Sequence, residues 1–191
     1  MVTTREVSVD DATTVAQMVG ALLAELGAGH VQAKLDTQLV ADLLAMKERI
    51  SGFLACAEKR PVGIIMLSES ASLFAHGTYG IITELYVVPD QRSSGVAMRL
   101  IEAAVGLGTV KGWSQLEVGA PKQPVWSRSP NSALYLKAGF AEIGPRLKLP
   151  LHGLASSRAQ GNNLVGRSRL DPRRRHAPCR RIPESPAARF A

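Results

Sequence analysis

The stretch that decides the fold spans residues 80–107 and reads GIITELYVVPDQRSSGVAMRLIEAAVGL. Residues 81–88 are almost continuously apolar and rich in β-branched side chains, which is typical of a strand buried on both faces. Pro89 cannot donate a hydrogen bond to a sheet ladder, so the strand ends before it and a tight turn follows. The sequence therefore predicts a central strand that leads through this turn into a helix.

Residues 92–97 open that helix, and its start predicts an anion site. Backbone N–H groups in the first turn of a helix have no acceptor within it, and they carry the positive end of the helix dipole. Gly95 has no Cβ, so the backbone there can approach a phosphate closely. We expect the helix to end near Leu107, because Gly106 and Gly108 each weaken a helix by about 1 kcal/mol relative to alanine.

Apolar periodicity on either side of this stretch predicts the remaining elements. Asp10 or Asp11 offers an N-cap for a first helix that stops at Gly27, and a second helix begins near Asp36. The apolar face of that second helix is expected to contain Leu39, Leu43, Met46 and Ile50. Further strands are predicted at residues 5–9, 52–59, 62–68, 114–118 and 141–149, a turn at Lys59-Arg60-Pro61, a helix at residues 131–138, and loops at residues 28–34, 70–80 and 120–129. By itself this order indicates a mixed α/β or α+β domain.

Two motifs in this order resemble the GNAT N-acetyltransferase superfamily. Arg92-x-x-Gly95-x-Ala97, which follows Leu85-Tyr86-Val87-Val88-Pro89, is similar to the acetyl-CoA pyrophosphate loop of that family. Tyr135-Leu136-Lys137-Ala138-Gly139-Phe140, about 40 residues further on, matches its Tyr-x-x-x-Gly-Phe signature. The resemblance covers residues 4–150 and implies the acyl-CoA N-acyltransferase fold, a mixed and mostly antiparallel central sheet flanked by helices.

The resemblance also implies acetyl-CoA as co-substrate, bound largely by the main chain. Residues 85–87 would pair with the pantetheine arm, the N–H of Val87 would polarise the acetyl carbonyl, and amides of residues 92–98 would hold the pyrophosphate. The expected coenzyme-binding residues are Leu85, Tyr86, Val87, Arg92, Ser93, Ser94, Gly95, Val96, Ala97, Met98 and Asn131. One departure concerns the asparagine that often lies seven residues before the family's tyrosine: Arg128 stands there, and Asn131 lies four residues before Tyr135. The alternative is an ordinary strand–turn–helix with a solvated arginine.

Two residues are expected to be catalytic on the same resemblance. Tyr135 would protonate the leaving thiolate, and the usual tyrosine pKa of about 10 suits that donor; alternatively, Tyr135 only packs in the core. Glu84 would draw in the amine or accept its proton through water, since a carboxylate in an apolar strand is costly without water, a partner or a cation. The alternative for Glu84 is a strand-end carboxylate in solvent. The loops that contain His30 and Trp126 would form the acceptor pocket, and their composition does not identify the acceptor.

The charge of the chain is concentrated at its C-terminal end. The formal net charge is +7, while residues 1–150 carry equal numbers of basic and acidic side chains. Residues 151–191 hold nine arginines, no lysine and two acids. From this change in composition we predict an acetyltransferase domain at residues 1–152 and a disordered basic tail at residues 153–191. A polyanion-binding role of the tail, and with it nucleic-acid binding, stays open beside a tail without a role.

The cysteines and the lengths of the apolar runs exclude several classes of protein. Cys56 and Cys179 cannot make a disulfide framework, and no metal-ligand spacing occurs. The N-terminus lacks the apolar run of a signal peptide, and no stretch reaches the ~20 apolar residues of a membrane helix. We therefore expect a cytoplasmic enzyme that acetylates a small-molecule or protein amine, without metal or membrane, and a homodimer stays open. The alternative within the same fold is an inactive domain that binds an acyl-CoA as a sensor.

Overall fold

The computed structural model describes residues 1–26, 35–119 and 130–144, and for residues 130 and 131 it describes the backbone alone. These residues belong to one compact unit, Met1–Arg146. The strands are β1 (Val2–Glu6), β2 (Ile50–Ala57), β3 (Arg60–Ser72), β4 (Gly77–Val87) and β5 (Leu116–Val118). The helices are α1 (Ala12–Glu25), α2 (Thr37–Leu44), α3 (Val96–Lys111) and α4 (Pro130–Lys137), with short 3-10 turns at Val9–Asp11 and Pro89–Gln91.

The five strands form one sheet in the order β1-β2-β3-β4-β5. The pairs from β1 to β4 are antiparallel, and β5 is parallel to β4. The prediction of a mixed, mostly antiparallel sheet flanked by helices is therefore confirmed. The long run of apolar residues that indicated a central strand is explained by the position of β4, which has a neighbouring strand on each side and helices over both faces.

Each face of the sheet has its own hydrophobic core. On one face α1 and α2 cover side chains of β2, β3 and β4 that include Leu54, Ile64 and Tyr86. On the other face α3 and α4 cover a second set that includes Ile65 and Val87. Both cores contain side chains with no measurable exposure, so the sheet is fully covered at its centre. At about 1.5–3 kcal/mol for each large apolar side chain taken from water, these two cores are the main source of stability.

The start of α1 is fixed by an ion pair at its N-cap residue. Asp11 occupies the N-cap position, as predicted, but its side chain makes no capping hydrogen bond to α1; its carboxylate accepts the N–H of Ser8 at 2.8 Å, across the preceding 3-10 turn. Arg5 donates two hydrogen bonds to the same carboxylate, at 2.8 and 2.6 Å. These bonds to Arg5, with help from Ser8, lower the pKa of Asp11 to about 2. The second helix also begins as predicted, since the Asp36 carboxylate accepts the N–H of Gln38 at 2.9 Å.

The prediction of a loop at residues 70–80 is wrong. Strand β3 continues to Ser72 and β4 begins at Gly77, so only four residues make the turn between them. This end of the hairpin extends past β2, whose pairing with β3 ends at Ser68. Its side chains belong to neither hydrophobic core and need not be apolar, which is why the small and polar residues there indicate a loop by sequence alone. Leu73 is exposed at the tip.

The prediction that α3 ends near residue 107 is also wrong, because the helix continues to Lys111. Gly108 is buried against Trp113, and an added Cβ there would lie 3.0 Å from the indole ring. The N–H of Trp113 donates to the carbonyl of Gly108 at 2.9 Å, and Gly112 takes the left-handed conformation that ends the helix. The glycine that lowered helix propensity thus makes room for an aromatic side chain.

Several other boundaries differ from the predictions. The first strand is Val2–Glu6 rather than residues 5–9. Ile50 begins β2 instead of lying on the second helix, which ends at Leu44. The turn between β2 and β3 consists of Glu58 and Lys59, with Glu58 at a φ of 57°, and Arg60 already pairs with Ala57.

Some predictions fall partly or wholly beyond the described residues. Residues 141–144 form no strand, and the rest of the strand predicted at 141–149 lies outside the described part. The same holds for the helix stop at Gly27, for the loops that contain His30 and Trp126, and for Cys179. The domain boundary predicted after residue 152 and the tail at 153–191 also lie outside, so both stay predictions. Within the described residues, no helix has the length and apolar character needed to span a membrane.

Candidate active site

The site begins at the C-terminal end of β4, where the strand has an unoccupied edge. The N–H of Val88 donates to the carbonyl of Val62 on β3 at 3.0 Å. Because hydrogen bonding alternates along an antiparallel strand, the N–H groups of Leu85 and Val87 point away from β3, toward the other edge. On that edge, and among the described residues, β5 pairs with β4 only at residues 80–82. Beyond the end of β5, the main chain of residues 83–87 therefore offers donors and acceptors to this edge, except for the carbonyl of Val87, which accepts from Arg92.

A bulge at Thr83 sets which side chains face which helices. The β3 pairing passes from Ile82 to Glu84 and leaves Thr83 without a partner in the register. A bulge of this kind shifts the alternation of side chains by one residue. Ile82 and Val87 consequently lie in the core beneath α3, whereas Tyr86 lies in the core beneath α1 and α2. Sequence reasoning missed this bulge, although the polar residues at 83 and 84 interrupt the apolar run there.

The loop between β4 and α3 presents a row of backbone amides. The helix begins at Val96, four residues after Arg92, where the predicted opening at residues 92–97 began. Ser93 and Gly95 delay the start because they take left-handed conformations with φ of 62° and 84°. The first helical bond is donated by the N–H of Arg99 to the carbonyl of Gly95 at 3.2 Å. The N–H groups of residues 93–98 donate to no acceptor within the described part of the chain. Such a row at the positive end of a helix suits a phosphate group.

Gly95 leaves the space in front of these amides open. An added Cβ at this position would meet no atom within 4 Å. Ser93, Ser94 and Gly95 are exposed, while the side chain of Val96 is anchored in the core with 1% exposure. The loop is thus anchored in the core through Val96, and its backbone at residues 93–95 is accessible to a ligand.

The side chain of Arg92 turns away from this open space toward α1. Its Nη2 donates to both carboxylate oxygens of Glu25 at 2.7 Å, and its Nε donates to the carbonyl of Val87 at 3.0 Å. The guanidinium also lies 5.7 Å from the centre of the Tyr86 ring. Sequence reasoning missed Glu25, because no local pattern links two residues 67 positions apart.

The Tyr135 motif is, in the structure, the end of a helix. Gly139 follows α4 with a φ of 91°, its N–H donates to Leu136, and the N–H of Phe140 donates to the carbonyl of Tyr135. These two bonds make a Schellman motif, in which apolar side chains at the two flanking positions often meet. Tyr135 and Phe140 do meet, edge to face, with ring centres 5.4 Å apart. The spacing Tyr-x-x-x-Gly-Phe therefore has a structural explanation before any chemical one.

Tyr135 lies in the core beneath α3, together with Val87. Only 7% of the residue is exposed. Burial raises the pKa of Tyr135 to about 12, because the phenolate would be poorly solvated there. The hydroxyl therefore keeps its proton throughout the neutral range. Asn131 lies in the first turn of α4 by its backbone, and its predicted role as a coenzyme contact stays a prediction.

Glu84 is half-buried on β4, next to the bulge. It forms no hydrogen bond or ion pair with any other residue in the described part of the chain. By alternation it shares the face of Tyr86, the face covered by α1 and α2, whereas Tyr135 belongs to the opposite core. The structure thus brings Tyr135 and Val87 into one cluster and puts Glu84 on the other side of the same strand.

Taken together, these residues can bind a phosphate with amides, donate a hydrogen bond from Val87, donate a proton from Tyr135 and accept one at Glu84. Within the described ranges no group of histidine, cysteine, aspartate and glutamate side chains is arranged to hold a metal ion. The chemistry available from the described residues is proton transfer and electrostatic stabilisation of an oxyanion.

A sequence model of the acetyltransferase (GNAT) family matches residues 21–140. This range contains the open strand edge, the amide row and Tyr135. No curated protein sequence matches the chain. The family match covers more than half of the chain, and it includes both motifs that carried the resemblance.

Solved structures resemble the chain over most of its length. An aminoglycoside acetyltransferase from an uncultured soil metagenomic sample has a TM-score of 0.67 at 19% identity, over 79% of this chain and 99% of that one. A ribosomal-protein-alanine N-acetyltransferase from Brucella melitensis biovar Abortus 2308 has a TM-score of 0.63 at 19% identity, over 79% and 99%. An acetyltransferase from Trypanosoma brucei has a TM-score of 0.60 at 20% identity, over 79% and 100%. At such identities the likeness concerns the fold.

Proposed function

The chain belongs to the GNAT acetyltransferase family, and from this premise we propose that it transfers the acetyl group of acetyl-CoA directly to an amine. GNAT enzymes generally use acetyl-CoA, and they act on small-molecule or protein amines. One observation supports the proposal most: the open edge of β4 and the amide row before α3 adjoin each other. Their contact is direct, because Arg92 of the loop donates to the carbonyl of Val87 on the strand at 3.0 Å.

The described residues fit an acyl-CoA. The amides of residues 93–98 and the open space at Gly95 suit a diphosphate, which needs several donors and a close approach of the backbone. The main chain of Leu85 and the N–H of Val87 suit an amide-containing arm, which can add to an open strand edge by hydrogen bonds. In the proposed complex the strand and the amides of residues 93–98 hold the coenzyme, without the N–H of Arg92, which donates to the carbonyl of Pro89 at 3.3 Å.

When bound, acetyl-CoA supplies a thioester whose acyl carbon an amine can attack. The N–H of Val87 donates a hydrogen bond to the carbonyl oxygen, where negative charge develops during attack. A fixed backbone donor is effective because it needs no reorganisation during the reaction, and the loss of one such donor in other enzymes costs about 100- to 1,000-fold in rate. Tyr135 donates its proton toward the leaving sulfur; the phenol carries its proton at neutral pH, although burial makes it a weaker acid than an ordinary tyrosine.

Glu84 is the residue that we propose to bind or deprotonate the acceptor amine. As a half-buried carboxylate without a cation among the described residues, it can attract an ammonium group, or accept a proton from it through water, so that a neutral amine attacks. Both roles stay open for Glu84. A carboxylate on one face of β4 and a phenol on the other would let acceptor and coenzyme meet at the open edge between them.

The experiment that tests the proposal measures thiol release from acetyl-CoA in the presence of an amine panel, with acetyl-CoA binding followed by calorimetry. The panel contains aminoglycosides, polyamines and peptides with a free N-terminus, because related folds carry both small-molecule and protein acetylation. Thiol release with one class, lost on Tyr135→Phe, supports the enzyme. Acetyl-CoA binding without any acetylated amine supports the alternative, an inactive acyl-CoA sensor, and the absence of binding excludes both.

We also propose that residues 1–152 contain the whole activity and that the basic segment at residues 153–191 is separate from it. The support is compositional: the segment carries the entire net charge, while the preceding residues balance. A chain truncated after residue 152 should then acetylate as fast as the full chain. Equal nucleic-acid affinity of the two chains would exclude a polyanion-binding role of the segment.

A further inference from the structure

The mechanism leaves one cluster of charged side chains without a role. Glu25, Arg92 and Tyr86 meet beside the strand edge, and the hydroxyl of Tyr86 also lies 3.5 Å from a carboxylate oxygen of Glu25. Glu25 and Arg92 are 43% and 46% exposed. Packing alone therefore does not require the pair, and its position invites a functional explanation.

The contacts of Arg92 commit its guanidinium to the strand. Nε is used by the carbonyl of Val87, Nη2 by both oxygens of Glu25, and one face by the ring of Tyr86. In an extended strand the N–H and the carbonyl of one residue point to the same edge. Arg92 thus fills the acceptor at the open edge beside the N–H that we assign to the acetyl oxygen.

Glu25 determines this arrangement from the end of α1. It is the last residue of that helix, where a carboxylate is unfavourable next to the negative end of the helix dipole. The guanidinium of Arg92 offsets this cost, and the carboxylate in turn holds the guanidinium over the strand. Without Glu25, a flexible arginine side chain one residue before the amide row could turn toward a diphosphate instead.

We propose that Glu25 is a positioning residue for the acetyl-CoA site: it holds Arg92 on the carbonyl of Val87, which fixes the strand edge and leaves diphosphate recognition to the amides. The inference rests on the proposed function and adds to it a residue outside both family motifs. It assigns to the first arginine of the loop a contact with the protein rather than with the coenzyme.

Acetyl-CoA affinity, measured by calorimetry at low and high potassium chloride, separates this proposal from its rival. If Glu25 positions the edge, Glu25→Ala weakens binding by about fivefold, the value expected for the loss of one hydrogen bond of ordinary strength, with unchanged salt dependence. Arg92→Met then has the same effect, and the double variant is no weaker than either single one. If Arg92 is a latent phosphate ligand, Glu25→Ala strengthens binding and steepens its salt dependence, which overturns the proposal. Unchanged affinity overturns it too.

Two further variants exclude a merely structural role. Arg92→Lys keeps a charge for Glu25 but lacks the planar fork that reaches two acceptors at once. Relative to Arg92→Met, we therefore expect it to recover the melting temperature of the wild type but not its affinity for acetyl-CoA. Arg60→Ala removes the ion pair with Asp90, which joins β3 to the same turn at 2.6 Å with similar exposure, and should leave affinity unchanged. A loss of affinity in Arg60→Ala as large as in Glu25→Ala would contradict the inference.

Hydrogen–deuterium exchange of the ligand-free chain keeps the inference separable from the proposed function. Glu25→Ala should accelerate exchange in residues 85–92 and leave the β3–β4 hairpin tip unchanged, whereas Arg60→Ala should not accelerate it. If the wild-type chain binds no acetyl-CoA, the proposed function fails, and this exchange pattern still decides whether Glu25 holds the strand end. Equal exchange in both variants would refute the inference.

Discussion

Substitution of Gly95 distinguishes an effect on coenzyme binding from the effect of backbone strain on folding. Gly95→Ala places a Cβ in the open space before the amides, at a φ of 84°. Nothing within 4 Å would clash with it, so its cost to folding is the left-handed conformation itself, about 1–2 kcal/mol. For a domain of this size that lowers the melting temperature by about 2–4 °C per kcal/mol.

Gly112 is the matched control at the other end of the same helix. It also takes a left-handed conformation, with a φ of 69°, and an added Cβ there would likewise meet nothing within 4 Å. Denaturant unfolding should therefore show similar losses of stability for Gly95→Ala and Gly112→Ala. Calorimetry with acetyl-CoA should show wild-type affinity for Gly112→Ala and a loss of at least about tenfold for Gly95→Ala, because a diphosphate held by these amides has to fill the same space.

The branched side chain of Gly95→Val should weaken acetyl-CoA binding further than alanine does. The reasoning fails if Gly95→Ala is destabilised like Gly112→Ala and still binds acetyl-CoA as the wild type does. The diphosphate would then lie elsewhere, and the amide row would be an ordinary helix start.

Three other predictions follow from the described contacts. Tyr135→Phe should lower kcat by about 10- to 100-fold with little change in acetyl-CoA affinity, because it removes the proton donor and keeps the ring; equal turnover would exclude the donor. Folding lowers the pKa of Asp11 from about 4 to about 2, so its ionised carboxylate stabilises the folded chain at pH values above about 4. This contribution is lost as the pH falls from 4 to 2. Asp11→Asn should remove about 1 kcal/mol of this acid dependence, given its half-exposed arginine partner, in urea unfolding at several pH values. Gly106→Ala, with open space around it, should raise the free energy of unfolding by about 0.5–1 kcal/mol, whereas Gly108→Ala should not, because its Cβ would lie 3.0 Å from Trp113; the same gain in both would contradict the packing explanation.

Local chemistry made part of this molecule predictable. The end of β4 before Pro89 and the helix starts at Asp11 and Asp36 each depend on one or two neighbouring residues. Such features can be inferred from a short window of sequence. The family match at residues 21–140 agrees with the resemblance drawn from the two motifs.

What could not be predicted depends on contacts distant in sequence. Glu25 reaches Arg92 across 67 positions. The length of α3 depends on Trp113, whose indole lies against both Gly108 and the distant Gly80. The end of the β3–β4 hairpin carries no apolar alternation, because it extends past β2 and its side chains belong to neither hydrophobic core. In each case a tertiary contact, or its absence, decided the outcome against the local pattern.

The Schellman motif at the end of α4 requires the ring of Tyr135 but not its hydroxyl oxygen. The ring of Tyr135 is needed against Phe140 wherever this helix ending is kept, and a phenylalanine would serve that need equally well. The oxygen adds nothing to that contact. The end of α4 therefore constrains the ring at position 135, and phenylalanine there would keep the edge-to-face contact with Phe140 whether or not the chain transfers acetyl groups.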